Sequence, residues 1–200
     1  MKKFTDKKLL IGSHSNYKIM QLVQYFTEHG YNLELMSPAE FNIPAPPEVG
    51  VTFEENCQTK AKYYGDAVGL VSVSDDSGIC IDALGGAPGI HTADWAVNGD
   101  FAPAIARMKH ELNGEPGKKY DAKMVSVISI YWPKQAALYS FRAETFGYVN
   151  FDLESSDGIG FQPVFYPHPF DVPASLLDEE QFKQVNARAK SLKKLLDACF

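Results

Sequence analysis

The stretch VSVSDDSGICIDALGGAPGI, residues 71–90, decides how this chain is read. It opens on alternating valine and serine, a β-branched run that suits a strand. Two adjacent carboxylates follow, Asp75 and Asp76, and then Ser77 and Gly78. A second apolar stretch leads into Gly85-Gly86-Ala87-Pro88-Gly89, whose glycines permit tight turns. The expectation is a strand that ends at the paired carboxylates, with a glycine-rich loop beyond. At the carboxyl end of a parallel strand, side chains project into the crevice where open α/β sheets bind ligands. Two like charges there repel unless a cation lies beside them. A divalent metal would serve, and Mg²⁺ favours carboxylate oxygen together with substrate phosphate. The plainer reading is an Asx turn, with Asp75 capping and Asp76 opening the next element. Taken alone, Asp-Asp-Ser-Gly does not choose between them.

Toward the N-terminus, KKLLIGSHSNYK (7–18) reads as a strand at Leu9–Gly12, a polar turn and the start of a helix. That helix carries Ile19, Leu22, Val23 and Phe26 at helical spacing and stops at Gly30. YNLELM (31–36) alternates as a strand, and SPAEFNIPAPPEVG (37–50) is a proline-rich connector. From Thr52 to Val68 the spacing predicts a helix with Phe53, Cys57, Ala61, Tyr64 and Val68 on one face. The first half is therefore β-α-β-α-β, the pattern of a three-layer α/β domain. Beyond the glycine loop, residues 101–113 read as a helix. AKMVSVISIYW (122–132) and ALYSFRAETFGYVNF (137–151) read as strands joined by PKQA, a hairpin. A loop-rich section, 155–175, leads to a final helix in NARAKSLKKLLDACF (186–200).

Two hundred residues fit a single domain, 1–200, or two lobes sharing a core. A net charge of −6 gives no broad nucleic-acid footprint, so no nucleic-acid polymer is expected as partner. Three scattered cysteines, Cys57, Cys80 and Cys199, suit reduced thiols. No run approaches the ~18 apolar residues of a membrane span, and the N-terminal apolar run is too short for a signal peptide. The expectation is a cytoplasmic protein with no membrane partner.

Other segments bear chemistry of their own. SHSNYK (13–18) opens a helix, where backbone N–H groups, the helix dipole and Lys18 could hold a phosphate. A helix cap with a solvated lysine fits it equally well. Thr52-x-x-Glu55 is a capping box that accounts for Glu55 structurally. Lys60 flanks the apolar stripe and can lean toward a cleft, and Glu48, upstream in the connector, is the freer carboxylate. The five histidines lack metal-ligand spacing, and Lys190, Lys193 and Lys194 read as a solvated helix face.

The order of these segments is more specific than any of them. SxSxxK, ExGxTFxENxxxKA, DDSGxxxDxLGGAPG, GxGFxPxF and a late arginine-bearing helix resemble the inosine triphosphate pyrophosphatase family, from about Gly12 to Leu196. The resemblance implies an elongated α/β fold, a mixed sheet with flanking helices and two lobes around a central cleft. It also implies a homodimer and Mg²⁺-dependent hydrolysis of a nucleoside triphosphate to monophosphate and pyrophosphate. Ser13, Ser15 and Lys18 would then serve the phosphate loop, and Lys60 and Ser77 would contact the triphosphate. Glu48 and Asp76 would hold the metal, with Asp76 also accepting the proton and Asp75 beside it in the catalytic set. Gly160, Phe161, Gln162, Lys183 and Arg188 would meet the nucleotide.

The departures gather at the base end. GIGFQP places Ile159, Phe161 and Gln162 where the family has aromatic, aromatic and Asp. Asn186-Ala187-Arg188 stands for Ser-His-Arg, and Asp94 stands where the family carries Arg. Two alternatives follow: a nucleotide-binding protein with little turnover, or the same chemistry on a modified pyrimidine triphosphate.

Overall fold

The structure, a computed structural model, describes residues 1–153 and 158–200. The first half takes the expected pattern: β1 (Lys8–Ile11), α1 (Asn16–Glu28), β2 (Glu34–Met36), α2 (Phe53–Val68) and β3 (Ser72–Ile81). β1 pairs in parallel with β2 and with β3, Leu10 lying opposite Met36 on one side and Ser72 on the other. After α3 (Ala102–Glu111) come β4 (Tyr120–Trp132) and β5 (Ala137–Val149). The connection at 133–136 is so short that neighbours must run in opposite senses, as the hairpin reading expected. β6 (Phe165–Pro167) pairs antiparallel with β5, and α4 (Glu179–Val185) and α5 (Ala187–Cys199) complete the chain. The six strands form one mixed sheet in the order β2-β1-β3-β4-β5-β6.

One expectation needs refinement and one needs correction. The section read as loop-rich from 155 to 175 gains a three-residue strand, β6, with residues 155–157 outside those described. The strand through residue 74 does not end at the aspartates but continues to Ile81. What stops there is its parallel partner, since β1 matches Ile11 to Val73 and then turns away. β3 runs on because the glycine loop folds back along it. Cys80 bridges to Pro88, and the Ile81 amide donates to the Ala87 carbonyl at 3.3 Å. Gly78 makes that return possible, because a Cβ there would collide with the Gly89 carbonyl and the Thr92 side chain. Thr92 Oγ1 accepts from the Ile79 amide at 3.0 Å and donates to the Gly89 carbonyl at 2.7 Å.

The chain divides into two compact units, Met1–Asp76 with Ser126–Ala143 and Ser191–Phe200, and Ser77–Val125 with Glu144–Lys190. The first has a core of Leu9, Ile11, Leu22, Phe26, Val73, Ile128, Ile130 and Leu195. Each such side chain contributes roughly 1.5–3 kcal/mol on burial. α1 therefore turns Leu22 and Phe26 inward, while Val23 at its edge stays 37% exposed. The second unit packs Ile79, Ile81, Met108, Val149, Phe161 and Phe165 around α3. Among the described residues no helix is long and apolar enough to cross a membrane.

Candidate active site

The turn from β1 into α1 is built by its serines. Ser13 Oγ accepts from the Ser15 amide at 3.1 Å, and Ser15, the N-cap, accepts from the Lys18 amide at 3.4 Å. Lys18 thus sits in the first helical turn, and its Nζ lies 2.7 Å from Asp75 Oδ2.

α2 begins on Thr52, whose Oγ1 accepts from the Glu55 amide at 3.1 Å. Glu55 answers by accepting from the Val51 amide at 2.7 Å, one residue further upstream than a strict capping box. Two turns on, the flank of the apolar stripe buries Lys60 to 8% exposure. Its ammonium donates to Asp76 Oδ1 at 2.7 Å and to Glu48 Oε1 at 3.1 Å. Glu48 is brought there by the proline-rich connector, which Asn56 ties down by accepting from the Gly50 amide at 2.8 Å.

Successive side chains of a strand point to opposite faces. Ser72 and Asp76 accordingly meet α2, Ser72 through the Ala61 carbonyl and Asp76 through Lys60, whereas Val73 and Asp75 turn toward α1 and α5. The pleat separates the like charges, and each has its own lysine.

Burial pushes the Asp76 carboxyl up to about 6, against the pull of the Lys60 ammonium. The same burial works to lower Lys60, but Asp76 and Glu48 outweigh it and hold the ammonium above its ordinary range. Lys60 therefore stays charged, and Asp76 is a carboxylate poised to take up a proton. Asp76 Oδ2 is buried without a hydrogen-bond partner, an arrangement that ordinarily costs about 1–3 kcal/mol. A hard divalent cation would satisfy it, with Glu48 as second oxygen donor. Among the described residues no group of three or more His, Cys, Asp or Glu is gathered around a common point. Two carboxylates would leave most of such an ion's shell to water or to a ligand.

In the second unit, Arg188 Nη2 donates to Ser77 Oγ at 2.8 Å. Asn186 caps the start of α5, accepting from the Arg188 and Ala189 amides at 2.9 and 3.3 Å. Gly160, with φ +66°, Phe161 and Gln162 form one tight turn, in which Gln162 Oε1 accepts from the Ile159 amide at 3.1 Å. Phe161 is buried at 2% exposure, edge-on to Phe101 at 5.4 Å, so its ring belongs to the core. Lys183 pairs with Glu179 at 2.8 Å along the exposed side of α4.

A family model described as the Ham1 family matches residues 9–198, nearly the whole chain. This chain belongs to the Ham1 family. It is 34% identical to the dITP/XTP pyrophosphatase of Rhizobium meliloti (strain 1021), over 100% of this chain and 99% of that protein. It is 36% identical to the protein of the same name from Bartonella quintana (strain Toulouse), over 90% of this chain and 86% of the relative. Among solved structures it superposes on the Staphylococcus aureus Ham1 protein with a TM-score of 0.82 and 27% identity, covering 96% of this chain and 97% of that one.

Some features of this Ham1 chain differ from the sequence reading or lie outside it. Asp94, at the position of a family arginine, pairs with His91 at 2.9 Å on the exposed surface. Lys190 is not on a solvated face: its ammonium donates to Thr145 Oγ1 at 2.9 Å, and burial lowers its pKa. Ser126 and Ser191 belong to no motif, yet Ser126 Oγ donates to Asp75 Oδ1 at 3.2 Å and lies 2.9 Å from Ser191 Oγ. The signal that could have found them is a hydroxyl at a core position of each element, Ser126 in a β-branched strand and Ser191 on the apolar side of α5.

Proposed function

We propose that this Ham1 chain is a nucleoside triphosphate pyrophosphatase, cleaving non-canonical purine (d)NTPs between the α- and β-phosphates to monophosphate and pyrophosphate. The observation that carries this is the buried Asp76, one oxygen on Lys60 and the other unpartnered, with Glu48 on the same ammonium. The two extensively aligned relatives bearing the name dITP/XTP pyrophosphatase support the choice of substrate.

In this reading Glu48 and Asp76 would hold Mg²⁺, which supplies charge neutralisation on the triphosphate and lowers the pKa of water. Lys60 and Lys18 bring positive charge to the phosphates, where negative charge accumulates as the bond breaks. Asp76 is also the proton acceptor for the attacking water in this reading. Ser77, Arg188 and the Gly160–Gln162 turn are the remaining nucleotide contacts of this reading, with Lys183 on α4. The working assembly is a homodimer and the compartment the cytoplasm.

The experiment is a panel of NTPs and dNTPs, with inosine, xanthosine and modified pyrimidine forms, assayed for pyrophosphate with and without Mg²⁺. Asp76→Asn should lower kcat at least ~10²-fold while keeping the fold, because it removes both a metal charge and the proton acceptor. Wild-type turnover in that variant, at saturating Mg²⁺ and with unchanged circular dichroism, would defeat the assignment.

A further inference from the structure

The two aspartates of β3 are neighbours in sequence with different surroundings. Asp76 keeps a bare oxygen, Oδ2, on the α2 face. Asp75, on the opposite face, has its side chain 1% exposed and both oxygens engaged, Oδ2 by the Lys18 ammonium at 2.7 Å and Oδ1 by the Ser126 hydroxyl at 3.2 Å. Ser126 is backed in turn by Ser191 of α5 at 2.9 Å, and both serines are buried, at 1% and 0% exposure. An ion approaching Asp75 would have to displace an ammonium or break into this buried hydroxyl pair. Lys18, by contrast, is 24% exposed and is held at both ends, its backbone by the Ser15 cap and its head by Asp75. An ammonium has three donors, so one carboxylate leaves capacity for a phosphate oxygen.

We propose that Asp75, locked by the Ser126–Ser191 hydroxyl pair, is a positioning residue that aims the Lys18 ammonium at the triphosphate, leaving metal and water to Asp76. The proposal rests on the pyrophosphatase reading above. Its physical content is preorganisation: a long, flexible lysine is fixed before substrate arrives, so less ordering is required on binding. Ser126 and Ser191 act further back, by holding the carboxylate that holds the lysine. Their loss should have a smaller effect of the same sign.

The test is a double-mutant cycle with inosine triphosphate as substrate, combined with Mn²⁺ titration of the nucleotide-free protein followed by electron paramagnetic resonance. Lys18→Ala should raise KM about tenfold or more, and Asp75→Asn should raise it about five- to tenfold with kcat changed far less. Because both act through one ammonium, the double variant should be within about twofold of Lys18→Ala alone. Mn²⁺ affinity should be unchanged in Asp75→Asn and reduced about tenfold or more in Asp76→Asn. Ser126→Ala and Ser191→Ala should each raise KM about two- to fivefold in the Lys18 protein and leave it unaltered in Lys18→Ala. These milder variants decide the matter if Asp75→Asn does not fold. Full additivity of the Asp75 or serine changes with Lys18→Ala would overturn the proposal, as would loss of Mn²⁺ binding in Asp75→Asn. If the unaltered protein released no pyrophosphate from inosine triphosphate in the presence of Mg²⁺, the pyrophosphatase reading itself would fall, a result distinguishable from additivity.

Discussion

At the scale of single residues, Asp76 and Gln162 lead to separate expectations. Asp76 titrates near 6 in the fold, above the ~3.9 of an unfolded chain, so the folded state binds its proton more tightly. In metal-free protein its contribution to stability is full below about pH 4 and is lost as pH rises through about 6. A divalent cation held by Asp76, as proposed, would bind only the ionised form and reverse that loss. The rise in Tm on adding Mg²⁺ should therefore be small at pH 5 and grow to a plateau above about pH 7, and Asp76→Asn should abolish the growth. Equal shifts at both pH values would remove Asp76 from the metal. In the proposed nucleotide site, Gln162 would bear on base choice. Its carbonyl is already engaged by the Ile159 amide, which leaves its NH₂ as donor to a keto oxygen, and Ala187 offers no side-chain hydrogen bond. A site short of one or two discriminating hydrogen bonds, each worth ~1–3 kcal/mol, should prefer inosine over adenine by less than ~100-fold in kcat/KM. Gln162→Asp with Ala187→His should sharpen that preference, and a thousandfold preference (~4 kcal/mol) in the unaltered protein would mean another residue reads the base.

At the scale of elements, β3 shows what a linear reading sees and what it misses. Gly78 is where the strand passes under the returning glycine loop, so Gly78→Ala should destabilise by about 1–3 kcal/mol through overpacking against Gly89 and Thr92. Urea unfolding would check it, and a loss under ~0.5 kcal/mol would mean the loop yields without cost. The helices α1, α2, α3 and α5 are legible because their periodicity and caps are local, as Thr52 and the Phe53–Tyr64 stripe show. The length of β3 is not, since its last residues find their partner in the Ala87–Pro88 return rather than in their own composition. β6 has three residues, too few for a period to register. α4 falls between the loop-rich section and the final helix, in a stretch given no element, although Asp178-x-x-Gln181 carries a local sign as a capping box. Within the site, Lys60 follows from its angle on the helix, and period-2 alternation is enough to place Asp75 and Asp76 on opposite faces. The Lys18–Asp75 and Ser126–Ser191 contacts join residues 57 and 65 positions apart, and no local rule reaches that far.

At the scale of the molecule, the question is whether two compact units behave as one folding domain, as the expectation of a single domain over 1–200 requires. Three strands bear on it. β3 passes from the first unit into the second between Asp76 and Ser77, β4 crosses between Val125 and Ser126, and β5 between Ala143 and Glu144. None of these crossings is a linker, since each is an interior peptide bond of a strand within the six-stranded sheet. Because three strands run through both units without a linker, a state with one unit intact should be sparsely populated. The chain supplies its own reporters, because its two tryptophans divide between the units. Trp132, 2% exposed, lies in the core of the first, and Trp95, 9% exposed under the Arg107 guanidinium at 4.0 Å, lies in the second. In Trp95→Phe and Trp132→Phe the remaining indole reads one unit at a time. Within each variant, its fluorescence and the far-ultraviolet circular dichroism should give the same urea midpoint and the same slope. Midpoints separated by more than about 0.5 M between the two probes of one variant would show that the units melt independently, and the single-domain reading would fall.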